Sequence, residues 1–152
     1  MNLPLFKRWS RARDADLTSP HLRVGLWGER VAETGLNAKG YRTLGRRVRI
    51  GRHDEIDLVM QCGDVLVFVE VKTPSNEDFG RPAQAIKQRK RIALSRAARH
   101  YLRRLKYRPR YYRFDVVEVI GSPDHRDAPV VRHIEAALQV SNAPFPLVVT
   151  PY

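Results

Sequence analysis

Apolar and polar positions alternate with two different periods along the chain, and the switches between them mark out its elements. From Pro20 to Leu36 the pattern is helical. Gly25, Gly28, Glu29, Ala32 and Leu36 fall within about 100° of one another at 3.6 residues per turn. That face is made of small residues, so the helix can approach a sheet closely. Gly40 stops it, and Tyr41–Val48 is predicted as a first strand. Glu55–Met60 is apolar at Ile56, Leu58, Val59 and Met60, and a turn follows at Gln61-Cys62-Gly63-Asp64. Val65–Lys72 (VLVFVEVK) is β-rich and apolar on both faces until Glu70, the pattern of a central strand. Thr73–Gly80 is a loop. Pro82 suits the first position of a helix that runs from Ala83 to about Leu105. Arg113–Ile120 and Val130–Ile134 are predicted strands, connected through Gly121-Ser122-Pro123-Asp124. Helix, strands, helix, strands is the order of an α/β fold.

The ends break the pattern. Residues 1–19 mix basic, Pro and small polar residues and are expected to form a loose basic arm. Residues 141–152 carry three prolines and are expected to form an extended tail. Residues 20–140 are left as the folded domain. A length of 152 residues suits one such domain, and 43% hydrophobic residues suffice for a core. The basic start lacks the apolar stretch of a signal peptide, and the longest apolar run, Val65–Val69, is far short of a membrane span. A cytoplasmic protein with no membrane partner is expected. One cysteine, Cys62, rules out an internal disulfide and a Cys-based zinc site, and the five histidines show no metal-ligand spacing.

Charge changes the picture. Lys and Arg total 28 against 16 Asp and Glu, for a net +12, and 22 of the cations are Arg. Such an excess serves solubility or a polyanionic partner, and the arginine fork suits phosphate. Between Phe79 and Phe114 there is no acidic residue and there are 13 cations. A solvated helix face usually mixes signs, because like charges at i,i+4 repel. Ile86, Leu94, Ala97, Ala98, Tyr101 and Leu102 supply this helix with a core face. Its candidate nucleic-acid-binding cations are Arg81, Lys87, Arg89, Arg91, Arg96, Arg99, Arg103 and Arg104. Nothing in this run separates DNA from RNA. Tyr107, Tyr111 and Tyr112 interleave with arginines, for base stacking or to cover a core edge. Lys90 lies near the core-facing side, where it either points into a site or snorkels outward.

The candidate chemistry lies in the hairpin Glu55–Lys72. A turn at Cys62-Gly63, or a four-residue loop at Gln61–Asp64, pairs residues whose numbers sum to 125. Asp57 then stands opposite Phe68, and Glu55 opposite Glu70. Asp57 and Glu70 become diagonal neighbours on one face, with Lys72 beside them. A three-residue loop would flip one strand and break this inference. Two carboxylates at the end of a buried hairpin repel each other and lose solvation, at several kcal/mol per ion without a compensator. Lys72 is one compensator, and the pair is then a structural ion pair. A divalent cation such as Mg²⁺ is the other. Such an ion would bind a phosphodiester oxygen and acidify a water, with Lys72 orienting that water or offsetting charge. Glu29, on the small-residue face of the first helix, is either capped by a partner or faces the site. Glu55 is a lesser candidate for Asp57's place.

Taken in order, G-x-x-G-E-x-x-A at Gly25–Ala32, Gly40-Tyr41, E-I-D-L at Glu55–Leu58, F-V-E-V-K at Phe68–Lys72 and R-F-D-V-V at Arg113–Val117 resemble the YraN-like family of uncharacterised bacterial proteins. The resemblance runs from about Leu22 to Val119. That family looks like a branch of the PD-(D/E)XK nuclease superfamily, which includes restriction endonucleases and Holliday-junction resolvases. The resemblance implies a restriction endonuclease-like core, a mixed β-sheet flanked by helices. It implies Asp57, Glu70 and Lys72 as catalytic residues, with Asp57, Glu70 and Glu29 holding Mg²⁺ or Mn²⁺. Gln84 and Lys90 take supporting roles. Asp54 departs from the pattern, which has Gly there, and is expected to alter the turn or add a metal contact. The function expected is an endonuclease on structured or branched DNA. Symmetric cutting of a junction needs two active sites, which a homodimer would supply. The alternatives are a non-catalytic nucleic-acid-binding module of the same fold and an adaptor for an acidic protein.

Overall fold

The computed structural model describes residues 19–74, 86–107 and 109–138. Its elements are α1 (Pro20–Ala38), β1 (Arg42–Ile50), β2 (Asp54–Cys62), β3 (Val65–Lys72), α2 (Gln88–Arg104), β4 (Tyr111–Ile120) and β5 (Val130–Ile134). The expected arm, apart from Ser19, and the expected tail lie outside the described residues. So do Pro82, Arg81 and Gln84.

The five strands form one sheet in the order β1-β2-β3-β4-β5. Neighbours are antiparallel except for β3 and β4, which run parallel, so the sheet is mixed. A parallel pair needs a crossover, and α2 supplies it. The helices cover opposite faces. On the α2 side Leu66, Phe68, Phe114 and Val116 pack with Leu94 and Ala97. On the α1 side Val67, Val69, Val117 and Val119 pack with Ala32 and Leu36. β3 thus contributes alternately to both cores, which is why its sequence is apolar on both faces, as a central strand requires. The mixed sheet flanked by helices is the architecture expected, and it is compatible with a restriction endonuclease-like core.

α1 begins at Pro20, where a missing N–H goes unnoticed, and lays Gly28, Ala32 and Leu36 inward. Gly28 is there for space. A methyl on its Cα would overlap Thr73 Cγ2, just beyond β3. The small-residue face therefore brings α1 against the end of the central strand.

Several boundaries differ from the expectation: β2 spans Asp54–Cys62 rather than Glu55–Met60, and β4 begins at Tyr111 rather than Arg113. α2 starts at Gln88, because Lys87 has extended backbone (φ −52°, ψ 144°) and Ile86 is buried in the α2-side core; the expected helix residues 83–85 lie outside the described residues. β1 continues to Ile50 rather than Val48, because Ile50 closes the same core.

Candidate active site

The hairpin register differs from the one inferred. Cys62 pairs with Val65 and Leu58 with Val69, so paired numbers sum to 127. The turn is Gly63-Asp64, with Gly63 at φ 56°. Glycine is thus the first turn residue, where a positive φ is needed, rather than the second. The shift is by two residues, so each side chain keeps its face, and Asp57 moves from opposite Phe68 to the level of Glu70.

The β2–β3 ladder ends at Leu58↔Val69. The next donor on β3, the N–H of Val71, donates to Asp57 Oδ2 at 2.8 Å. The aspartate side chain thus replaces a strand acceptor at the point where β2 and β3 part, while β2 stays paired with β1 and β3 with β4. β2 also rotates there: Ile56 belongs to the α2-side core and Leu58 to the α1-side core, though two residues apart they should share a face. Across the β1–β2 ladder Arg46 pairs with Leu58 and Val48 with Ile56. Between them Arg47 sits at φ 44°, left-handed backbone that a non-glycine residue adopts at a cost of about 1–3 kcal/mol. The strain coincides with the twist that delivers Asp57.

Glu70 is buried, with 4% of its surface exposed. Lys72 Nζ donates to its Oε1 at 2.9 Å. Lys90 Nζ, from the first turn of α2, lies 3.0 Å from its Oε2. That approach lies outside hydrogen-bond geometry, and among the described residues Oε2 has no hydrogen-bond partner. Burial, and then the charge of Glu70, push the Asp57 carboxyl up to about 7; the Val71 N–H and Lys90 pull it back only in part. Glu29 is raised too, by burial, opposed by Arg47 and reinforced by Glu55 and Glu70. α1 therefore brings Glu29 within electrostatic reach. Among the described residues, however, no three His, Cys, Asp or Glu side chains form a group able to hold a metal ion.

The two compensators weighed for this pair are thus a lysine and a metal, and the lysine side is doubled. A metal still fits. Mg²⁺ is commonly held by one or two carboxylates, with water and phosphate completing its shell, and Glu70 Oε2 is a buried acceptor without a donor. Asp57 and Glu70 are the residues that would hold it.

Other candidates are placed differently. Asp54 is taken by Arg96 of α2 through two bonds of 2.5 and 2.7 Å, so it neither shapes the turn alone nor faces the pair. Glu55 is shared by Arg47 and Arg49 at 3.1 Å each. Arg89, Arg99, Arg103 and Arg104 are exposed on α2, and Lys87 is exposed just before it. Tyr112 is buried in the α2-side core, whereas Tyr107 is exposed.

Two features were not singled out as sites in the sequence. Glu118 pairs in register with Lys72 and is 3% exposed. Among the described residues its Oε2 lacks a hydrogen bond, and Arg132 stands 3.7 Å away. The second is a polar cluster on the α1 side. Asp115 accepts from Arg113 at 2.9 and 3.1 Å and from the Ala136 N–H at 3.0 Å, and meets His133 Nε2 at 2.8 Å. Arg113 also donates to Tyr41 Oη at 2.6 Å. The signal was available, as three charges, Arg113, Asp115 and Glu118, within an otherwise apolar strand, but partners such as Tyr41 and His133 lie far away in sequence.

The fold and site define a mixed-sheet α/β protein with two acidic side chains and two lysines at the carboxyl end of its central strand. The chain belongs to the Uncharacterised protein family UPF0102, which matches residues 28–119. It is 50% identical over 104 residues to a UPF0102 protein of Symbiobacterium thermophilum, covering 68% of this chain and 87% of the relative. It is 34% identical over 117 residues to one of Clostridium kluyveri (77% and 94%), and 38% identical over 122 residues to one of Chlorobaculum tepidum (78% and 94%). The YraN-like resemblance is borne out at this level.

Proposed function

We propose that the protein is a Mg²⁺- or Mn²⁺-dependent endonuclease that hydrolyses phosphodiester bonds in structured or branched DNA. One observation carries the reading: half-buried Asp57 and buried Glu70 converge, mutually repulsive, where β2 and β3 part, flanked by lysines, while α2 beside them presents exposed cations. Burying two carboxylates together costs several kcal/mol. A site that needs them for a cation gives a reason for that cost.

When bound, the ion supplies Lewis acidity toward a phosphoryl oxygen and a more acidic water. Asp57 must give up its proton to serve, and the Val71 N–H fixes the oxygen that then carries charge. Glu70 is held in orientation by Lys72 through Oε1. The ammonium of Lys72, with its side chain 46% exposed, reaches both the carboxylate and an incoming phosphate, where it offsets charge gained in the transition state. The cations of α2 hold the backbone and carry no sequence preference.

Purified protein incubated with branched, flapped and single-stranded DNA and Mg²⁺ or Mn²⁺ is expected to cut at least one, and Asp57→Ala or Glu70→Ala to abolish cutting while binding persists. Clean protein that cuts none of them sinks the enzyme reading. The second reading, a non-catalytic nucleic-acid-binding module, is favoured by one fact: two lysines already neutralise Glu70. It predicts salt-sensitive binding with no cleavage and no effect of Asp57→Ala.

A further inference from the structure

Lys90 stands in an electrostatically poor place for a cation. It is the third residue of α2, in the first turn, where the helix dipole presents its positive end and where no acidic residue lies. Lys87, Arg89 and Arg91 surround it in sequence. Its side chain reaches inward to Glu70 Oε2 at 3.0 Å, yet makes no directed hydrogen bond there. It also lowers the cost of charge on Asp57. The contact is therefore held by the field of the two carboxylates alone. The side chain remains 37% exposed, so a route outward is open. Lys72 differs: it is hydrogen-bonded to the other oxygen, from the same strand.

Resting on the metal-dependent reading above, we infer that Lys90 is a built-in competitor for the divalent cation at Glu70, and that on displacement its ammonium becomes a contact for the nucleic-acid phosphate. A cation arriving between Asp57 and Glu70 repels an ammonium 3.0 Å from the same carboxylate. The ammonium then moves to the surface, among the exposed cations at the start of α2. A phosphate arriving there attracts the same ammonium and vacates Glu70. Metal and nucleic acid thus favour each other's binding, and the coupling is reciprocal. Without nucleic acid the site stays closed by its own lysine, which keeps a metal-loaded centre from forming idly.

The test measures Mn²⁺ binding to full-length, metal-free protein by calorimetry and by the loss of the free-ion paramagnetic resonance signal. It compares wild type, Lys90→Met, Lys90→Gln and, as a control for overall charge, Lys106→Met, with thermal melts to confirm folding. Both Lys90 variants are expected to bind Mn²⁺ about tenfold or more tightly than wild type, the scale of coupling between charges this close. Lys106→Met is expected to bind like wild type. Adding uncleaved DNA, with the Mn²⁺ measurement repeated, should tighten binding in wild type and much less in the Lys90 variants. Wild type that binds Mn²⁺ with Lys90→Met equal or weaker overturns the competitor role and leaves the metal site standing. No Mn²⁺ binding in any variant, with or without DNA, overturns the metal site and this inference together.

Discussion

At the scale of single residues, Asp57 concentrates the physics of the site. Its carboxyl titrates near 7 in the folded protein, against about 3.9 in an unfolded chain. A carboxyl raised in this way contributes its stability below the unfolded value, where both states carry the proton. Between about pH 4 and 7 the unfolded chain ionises and the folded one resists, so stability falls as pH rises. Asp57→Asn keeps an oxygen for the Val71 N–H and removes the charge. Urea melts of metal-free protein should therefore show the variant gaining on wild type as pH goes from 5 to 8, and a constant difference across that range would count against the raised carboxyl. Gly28 is the other decisive residue. Gly28→Ala drives a methyl into Thr73, and overpacking of this kind costs about 1–3 kcal/mol unless α1 shifts. If α1 does shift, the overpacking is relieved and Glu29 moves away from Glu55 and Glu70, so the variant should melt near wild type while any Mn²⁺ affinity falls; without the shift the melting temperature should fall.

At the scale of elements, the joint between β4 and β5 rests on Asp115. This side chain is 1% exposed and takes donors from its own strand, from β5 and from the turn after β5. Removing one partner from a buried, hydrogen-bonded charge pair leaves the other uncompensated, at about 3–5 kcal/mol. Asp115→Ala is expected to lose about that much in denaturant titrations, and hydrogen exchange should report the loss at β5 first. Asp115 lies in a motif that also carries the family resemblance, yet its place is on the α1 face among structural partners. A charged motif residue in a strand is thus either site or scaffold, and only its neighbours distinguish the two. The β2–β3 turn makes the same point about register. Gly63 is visible in the sequence as a turn residue, but which turn position it fills depends on how the strands twist against each other. The error was an even number of residues, so the shift itself turned no side chain to the other face and brought Asp57 level with Glu70.

At the scale of the whole molecule, net charge and its distribution bear on the proposed nucleic-acid partner. The chain carries +12 overall, and the exposed side of α2 holds much of it. Binding to duplex DNA should weaken linearly in logarithmic plots against salt, by about 0.9 per phosphate contacted. Replacing Arg99 and Arg103 together by Gln should lower the slope by about two and weaken all sequences alike. An unchanged slope would remove α2 from the nucleic-acid surface. Arg96 should count for less than these two, because Asp54 already holds it. No helix among the described residues is long and apolar enough to cross a membrane.

Local rules were enough to read most elements from the chain. Period and punctuation placed α1, β3 and β5, and apolarity on both faces placed β3 at the centre, because these features express themselves within a few residues. The acid, acid and lysine set was legible for the same reason: charges stand out where a buried strand ends. The tertiary structure alone decided which compensator each charge meets. Lys90 reaches Glu70 across the α2–sheet layer, Arg96 takes Asp54, and Arg113 takes Asp115 with a histidine from β5. It also decided the strand rotation at Asp57 and the left-handed Arg47 opposite. Side-chain partners separated by tens of residues depend on packing distance and sheet twist, and neither is written in local periodicity.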